Sequence, residues 1–312
     1  MGYACQADIC FFTMNRSILI CVLAACLLLP VQATKRALII GIGDYPESTG
    51  WAKINGDKDV ATVEQMLIGK GFTKTNIIKL VNAQATSAGI RAALENLIQV
   101  SGKNDFVYIH FSGHGQRMTD TSGDEPSGYD EAWVPYDAQF AYEEASGLFV
   151  KKGGYQGQNH LVDDEINEYL YRLRQKVGRD GRIIVIADAC HSQGATRLSD
   201  DDDEFEGEVW VARGTSLRGS NDDFIIPNPS HSAQTGGHSI DWIYISACKS
   251  TQSNFEYRGV GSLTYVLTQL SGQFETLDCA TLEKKIRAII RDIIPFTQTP
   301  YVESPNPQSK FF

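Results

Sequence analysis

Cysteine is scarce in this chain outside its first 33 residues. The sequence has 7 cysteines, and the N-terminal stretch holds Cys5, Cys10, Cys21 and Cys26. The remainder keeps only Cys190, Cys248 and Cys279, an odd and sparse set that excludes a disulfide-framework protein. No Cys-x-x-Cys pair occurs, which argues against a structural zinc site.

Basic charge is also in deficit. The chain has 28 Lys and Arg residues against 38 Asp and Glu residues, for a formal net charge of −10. Binding to nucleic acid requires clustered Lys and Arg that neutralise phosphates. The composition therefore argues against a nucleic-acid partner.

The first 33 residues have the pattern of a secretory leader. A basic segment at 14–16 precedes an apolar run at 18–29, and Val31-Gln32-Ala33 is a small-x-small cleavage site. The apolar run is too short to span a bilayer comfortably. We predict a signal peptide over 1–33 and an exported mature chain without a transmembrane anchor, in the periplasm, at the cell surface or in the medium. Residues 1–13 are read as an extension from a misplaced start codon, with a genuine long n-region as the alternative.

A lipoprotein anchor is a second reading of the leader. Leu23-Ala24-Ala25-Cys26 resembles a lipoprotein cleavage box. The residues that follow Cys26 stay apolar, whereas a tether would turn polar, so we prefer cleavage after Ala33.

Apolar runs alternate with amphipathic segments through residues 34–312. The apolar runs predict strands at 36–43, 76–81, 104–112, 182–188, 241–247 and 301–303. The amphipathic segments predict helices at 57–69, 86–100, 163–177, 261–270 and 281–294. This alternation is typical of βαβ units, so we predict one domain with a mostly parallel sheet between helices.

Two segments interrupt the alternation. Residues 116–160 contain glycine, aspartate and aromatic residues, with expected hairpin pieces at 131–136 and 147–151. Residues 193–240 form a long acidic stretch, and a loop of that length in a compact domain is functional or disordered.

Two of the predicted strands end in reactive side chains. His114 follows one strand between two glycines, and Cys190 follows another, two residues after Asp188. Ligand chemistry in open α/β sheets collects beyond the carboxyl ends of the strands. A thiol and an imidazole there make a nucleophile and its acid/base partner.

These two motifs resemble those of a known family. Phe111-Ser112-Gly113-His114-Gly115 and Asp188-Ala189-Cys190-His191-Ser192 are similar to the paired motifs of caspase-like cysteine peptidases of family C14, nearest to metacaspases and their bacterial relatives. The resemblance runs from about residue 36 to the last strand. It implies a caspase-like three-layer α/β/α sandwich with a mostly parallel six-stranded sheet.

The resemblance also implies catalytic roles. Cys190 would attack a peptide carbonyl, and His114 would act as general base or ion-pair partner and protonate the leaving amine. The backbone N–H groups of Cys190 and Gly115 would form the oxyanion hole. His191, next to the nucleophile, is the rival for the base.

Specificity is expected to come from acidic residues. By resemblance, Asp188 and Asp59 would line a pocket for arginine or lysine at P1, the residue before the cut bond. Asp188 could instead cap backbone amides at the strand end, and Asp59 could be a solvated carboxylate at a helix start. We predict an endopeptidase acting on proteins or peptides after Arg or Lys. The alternatives are an Asp-specific peptidase and a catalytically silent binding module.

Calcium enters only through the resemblance. Asp130, Asp163 and Asp164 match three of the four aspartates with which many metacaspases bind Ca²⁺ as an activator. The fourth is missing after Cys190, where Gln193 stands at a usual glycine and the next acid is Asp200. Asp163 and Asp164 could instead cap a helix. No cofactor is expected for the chemistry itself.

The acidic loop contains candidate sites for self-cleavage. Arg197, Arg213 and Arg218 lie in 193–240, where the family separates its large and small subunit regions. A peptidase with a basic P1 preference could cut itself after one of them, although the loop could also be a tolerated insertion. We expect the chain to be a monomer.

Overall fold

A computed structural model describes most of residues 33–312. It covers residues 33–120, 122–123, 125, 128–140, 142–145, 148–151, 155, 157–190, 211–213 and 240–312. Residues 1–32, which include Cys26, and most of residues 193–240 lie outside these ranges. The signal peptide, the lipoprotein anchor and the role of the loop therefore remain predictions. In the described part, no helix is long and apolar enough to cross a membrane.

The described residues form thirteen strands and five α-helices. The strands are β1 (Lys35–Gly41), β2 (Ile77–Val81), β3 (Phe106–Ser112), β4 (Gly115–Thr119), β5 (Tyr129–Trp133), β6 (Tyr142–Ala145), β7 (Leu148–Lys151), β8 (Leu161–Val162), β9 (Arg182–Asp188), β10 (Ile243–Ser246), β11 (Glu256–Tyr257), β12 (Val260–Gly261) and β13 (Tyr301–Glu303). The helices are α1 (Gly56–Gly69), α2 (Ser87–Val100), α3 (Asp163–Val177), α4 (Ser262–Leu270) and α5 (Cys279–Ile293).

The central sheet has six strands in the order β13-β10-β9-β3-β1-β2. All neighbours pair in parallel except β10 and β13, which pair antiparallel. The central strands read as continuous apolar runs because helices cover both faces of the sheet. The predicted six-stranded, mostly parallel sheet is therefore confirmed.

Each face of the sheet has its own apolar core. Alternate residues of β1 enter different cores: Leu38 and Ile40 contribute to one, and Ala37 and Ile39 to the other. The first core is completed by α2 and α3, and the second by α1, α4 and α5. This arrangement is the three-layer sandwich expected from the alternation of strands and helices.

Smaller β-structures fill the predicted irregular regions. Strands β4, β5 and β8 form a three-stranded sheet, and β6 with β7 and β11 with β12 form two-stranded sheets. The expected piece at 147–151 corresponds closely to β7, whereas the piece at 131–136 overlaps only the second half of β5. The loop residues 211–213 are also described, and Ala212 forms an isolated antiparallel bridge with Phe255.

Two predicted helix starts have different outcomes. Thr86 caps α2 as predicted, because its side chain accepts a hydrogen bond from the Gly89 N–H. Helix α3 begins at Asp163, and its N-cap is Val162, which makes no side-chain cap. The prediction that Asp163 or Asp164 caps this helix is therefore wrong, although Asp163 Oδ1 accepts a hydrogen bond from the N–H of the next residue at 3.1 Å.

We expect Ile40→Ala to destabilise the protein because Ile40 is fully buried on β1, between β3 and β2. Truncating such a side chain typically lowers the free energy of unfolding by about 2–5 kcal/mol, which urea denaturation would measure. Val100→Ala is the matched control, since Val100 is 44% exposed, and should change it by less than about 0.5 kcal/mol. Equal effects of the two substitutions would contradict this assignment of the core.

Candidate active site

The two reactive strand ends lie side by side. Strands β3 and β9 are direct neighbours, and Ser112 at the end of β3 is in register with Asp188 at the end of β9. His114 and Cys190 each follow two residues later in the chain. Both side chains are fully buried. Parallel pairing thus brings the predicted nucleophile and base to the same edge of the sheet.

The Cys190 thiol lies beside a second thiol. Its Sγ donates to the Gln252 carbonyl oxygen at 3.2 Å, and the Sγ of Cys248 donates to the same oxygen at 3.2 Å. The interaction with Cys190, followed by burial, raises the pKa of Cys248 well above its ordinary value. Cys248 is therefore a neutral thiol next to the predicted nucleophile. Sequence reasoning assigned Cys248 no role.

The His114 imidazole is held between aromatic rings. Its ring centroid lies 4.9 Å from that of Tyr45 and 5.0 Å from that of Trp51. Burial lowers the pKa of His114 to about 4, so the ring is neutral near pH 7. Nε2 lies 2.8 Å from the Ala52 carbonyl oxygen and must carry the proton there, because a carbonyl only accepts. Nδ1 is therefore the basic nitrogen, and no residue in the described ranges hydrogen-bonds to it.

A short piece of the acidic loop runs along the Cys190 edge. The Arg213 N–H donates to the Asn254 carbonyl at 2.9 Å, and the Glu256 N–H donates to the Val211 carbonyl at 2.8 Å. The Arg213 carbonyl accepts from the Cys190 N–H at 3.1 Å. An extended segment is thus paired antiparallel beside the thiol, with the Arg213 carbonyl on the predicted oxyanion donor.

The Arg213 side chain fills a buried acidic pocket. Its guanidinium is completely inaccessible to solvent and forms ion pairs with Asp59 at 2.9 Å, Glu256 at 3.1 Å and Asp188 at 3.6 Å. Burial alone lowers the pKa of Arg213, but these carboxylates outweigh it and raise the pKa above its ordinary value. Ser112 accepts a further hydrogen bond from Nη1 at 2.5 Å.

Asp59 is a pocket residue rather than a solvated carboxylate. It is fully buried on α1, where it accepts hydrogen bonds from the Ser112 hydroxyl and from the Gly261 N–H. Burial and the repulsion of Asp188 raise the pKa of Asp59 to about 6, although Arg213 and Ser112 oppose the rise. The buried position of Asp59 therefore excludes the alternative that it is a solvated carboxylate at a helix start.

Asp188 combines two of the roles considered for it. Its Oδ2 accepts from the Thr264 N–H at 2.7 Å and from the Thr264 hydroxyl at 2.6 Å, in the first turn of α4. Its Oδ1 accepts from Asn254 at 2.7 Å. It therefore binds backbone at the start of a helix and also faces Arg213. Behind it, His110 Nε2 lies 3.0 Å from the Thr264 hydroxyl.

Comparison with known families identifies the domain. The family model described as the caspase domain matches residues 34–312. The chain belongs to the caspase-domain family.

The similar curated proteins are metacaspases. Metacaspase-1 of Eremothecium gossypii is 30% identical over 172 residues, which covers 53% of this chain and 33% of that protein. Metacaspase-4 of Arabidopsis thaliana is 32% identical over 183 residues, with 56% of this chain and 37% of that protein covered. The matched part of the chain thus spans little more than a third of these relatives.

A solved structure agrees on the fold. A protein from Geobacter sulfurreducens superposes with a TM-score of 0.60, covering 89% of this chain and 97% of that chain. Its sequence identity is 22%, so this likeness concerns the fold alone.

The predicted site residues of this caspase domain are only partly brought together. Cys190, Asp188 and Asp59 all contact the Arg213 residue, through its carbonyl or its guanidinium. Gly115 begins β4 in register with Trp133, and Cys190 is the one donor to the Arg213 carbonyl recorded in the described part of the chain. The oxyanion role of Gly115 stays a prediction. His191, the rival base, lies outside the described residues.

Two of the candidate calcium ligands, Asp163 and Asp164, begin α3, whereas Asp130 lies on β5 and is near enough to repel Asp163. Burial, then repulsion by Asp130, Glu131 and Asp164, raises the pKa of Asp163 well above its ordinary value. Across the described ranges, no group of three or more His, Cys, Asp or Glu side chains is arranged to hold a metal ion. The candidate acid Asp200 lies outside those ranges. The described residues do not form a complete calcium site, and calcium activation remains a prediction.

Sequence reasoning missed several residues of the pocket. Glu256 lies in a two-residue strand without a readable pattern, and Asn254 and Thr264 are ordinary polar residues in sequence. Ser112 belongs to the motif around His114, but the motif assigns it no role. Only their contacts with Arg213 and Asp188 reveal them.

We expect Gly261→Ala to disrupt the acidic pocket. A Cβ at Gly261 would lie 2.1 Å from Asp188 Oδ2 and 2.5 Å from Arg213 Nη1, closer than atoms tolerate. Such overpacking typically costs about 1–3 kcal/mol of unfolding free energy, which denaturant titration would report. At Gly272 a Cβ meets nothing within 4 Å, so Gly272→Ala should be nearly neutral. A Gly261→Ala protein as stable as this control would contradict the packing.

Proposed function

We propose that this caspase-domain protein is a cysteine endopeptidase that cuts after basic residues. One observation carries the proposal. A single residue, Arg213, has its guanidinium among carboxylates and its carbonyl on the Cys190 N–H. A substrate P1 residue would need the same two contacts, because the pocket selects its side chain and the N–H stabilises its developing oxyanion.

The chemistry we propose starts from a neutral thiol and a neutral imidazole. Cys190 transfers its proton to His114 Nδ1, and its sulfur forms a bond to the peptide carbonyl carbon. The oxyanion forms at the Cys190 N–H, and His114 returns the proton to the leaving amine as the C–N bond breaks. Water then hydrolyses the thioester. The thiol must first turn from the Gln252 carbonyl towards His114, a tightening that catalytic groups often undergo on binding substrate.

The same contacts support self-cleavage at one of the three candidate arginines. Arg213 already has the position of a P1 residue, whereas Arg197 and Arg218 lie outside the described residues. The bond expected to break is Arg213–Gly214. While it is uncut, Arg213 excludes other basic side chains from the pocket, so we propose that self-cleavage precedes activity on other proteins.

The two alternative functions are less well supported. A pocket for P1 aspartate needs basic residues, whereas Asp59, Asp188 and Glu256 would repel a carboxylate. A silent binding module needs neither a thiol nor an oxyanion donor beside a peptide carbonyl. The leader pattern supports the further proposal that the peptidase acts after export.

We expect fluorogenic Val-Ala-Arg and Val-Ala-Lys peptides to be cleaved and Val-Ala-Asp to be left intact, because only a cation matches the acidic pocket. The panel should be run on the wild-type chain and on Arg213→Ala, whose pocket is free of its own arginine. Cys190→Ala is the control and should be inactive. Turnover of the Asp peptide alone would refute the acidic pocket as the specificity site. No turnover of any peptide by the wild-type chain or by Arg213→Ala would favour the silent module.

We expect the purified chain to cut itself between Arg213 and Gly214, with the new termini identified by mass spectrometry. Cys190→Ala removes the nucleophile and Arg213→Ala removes the P1 side chain, so both should stay intact. Arg197→Ala and Arg218→Ala are matched controls that should be processed like the wild type. A cut after either of those residues in the wild type, or equal cleavage in Arg213→Ala, would contradict the proposal.

A further inference from the structure

Glu256 contacts a different part of the Arg213 side chain from the other two carboxylates. Its Oε1 accepts a hydrogen bond from Nε at 3.1 Å and lies 3.1 Å from Nη2. Asp59 and Asp188 instead pair with Nη1, the other terminal nitrogen of the guanidinium, and leave Nε to Glu256. The pocket therefore contacts two separate regions of one side chain.

Lysine can satisfy only one of these regions. Its stem has a methylene, Cε, at the position where arginine has Nε, and its single ammonium is a compact charge rather than a planar fork. A lysine ammonium directed at Asp59 and Asp188 would leave Glu256 facing a methylene. A buried carboxylate without its charged partner is costly, whereas arginine pairs with all of the carboxylates at once.

Glu256 cannot easily move to follow a shorter side chain. It is 4% exposed, and the Asn55 N–H donates to its Oε1 at 2.6 Å. The Asn55 side-chain amide donates to Oε2 as well. The Glu256 N–H also donates a hydrogen bond to the Val211 carbonyl. Glu256 therefore contacts both the Arg213 side chain and the backbone that precedes Arg213.

We propose that Glu256 is the residue that makes this pocket prefer arginine over lysine. The inference rests on the proposed function and deepens it, because it divides the basic P1 class into a good and a poor substrate. Loss of a charge-assisted hydrogen bond in a buried site corresponds to a preference of about 10- to 100-fold in kcat/KM.

The test compares Val-Ala-Arg and Val-Ala-Lys peptides on the full chain and on Glu256→Gln. In the wild type, kcat/KM should favour arginine by about 10- to 100-fold. In Glu256→Gln the ratio should fall to within about threefold of unity, mainly through a higher KM for the arginine peptide. Once the chain has been processed, the lysine peptide should lose little, because its ammonium is directed at Asp59 and Asp188. A merely structural defect would lower both peptides together.

Two further variants distinguish a loss of P1 charge recognition from a folding defect. Asp59→Asn removes a carboxylate that both basic side chains use, so it should weaken both peptides and keep the ratio. Glu283→Gln removes a carboxylate of the Glu283–Arg287 pair on α5, away from the pocket, and should change neither peptide. Thermal unfolding verifies that Glu256→Gln is folded. If it is not, Glu256→Asp keeps the charge but withdraws it from Nε and should reduce the ratio partly.

Self-cleavage gives a second readout in the intact chain. Arg213→Lys should slow processing by a factor similar to the peptide ratio, and Glu256→Gln should narrow that gap. A wild-type ratio near one, or an unchanged ratio in a folded Glu256→Gln protein, would overturn the inference while leaving the peptidase proposal intact. Absence of turnover on every basic peptide and of self-cleavage would instead overturn the peptidase proposal, and this inference with it.

Discussion

The organisation of the site depends on one buried cation among carboxylates. The Arg213 guanidinium joins Asp59 of α1, Asp188 of β9 and Glu256 of β11, which are far apart in sequence. Burying this many charges is expensive, and removal of one partner of a buried ion pair is strongly destabilising. The surrounding polar groups therefore have to be satisfied, and Ser112, Thr264, Asn254 and the Gly261 N–H supply the hydrogen bonds. The position of the Arg213 guanidinium in the pocket also determines where the Arg213 carbonyl lies beside Cys190, because both groups belong to one residue.

The supporting network continues through loop residues on both sides of the site. Asn254 bonds to Asp188 through its side chain and to the Arg213 N–H through its carbonyl, and Gln298 bonds in turn to the Asn254 amide oxygen at 3.0 Å. On the other side of the site, Tyr45 donates to the Val134 carbonyl at 2.9 Å and accepts from the His114 N–H. The imidazole and the acidic pocket are thus positioned by separate sets of contacts, which meet at the edge formed by β3 and β9.

The sequence predicts the sheet and the reactive strand ends well, for a physical reason. Strands buried on both faces leave long apolar runs, and parallel neighbours end at one edge. The placement of Cys190 and His114 at that edge therefore follows from the apolar runs and from the alternation of strands and helices. Glu256 gives no such signal because its strand has only two residues. The choice of Arg213 among the loop arginines depends on tertiary contacts that no local pattern records. The supposed cap at Asp163 failed because the helix begins one residue earlier than an aspartate cap requires.

The raised pKa of Asp59 gives the pocket a further property. Arg213 lowers that pKa, yet burial and Asp188 keep it at about 6. When a basic side chain leaves, this lowering influence goes with it, so Asp59 takes up a proton from solvent more readily. When the next basic side chain enters, that proton has to be released. Exchange of side chains in the pocket is therefore also an exchange of protons with the medium, and acidification favours the vacant state over the occupied one.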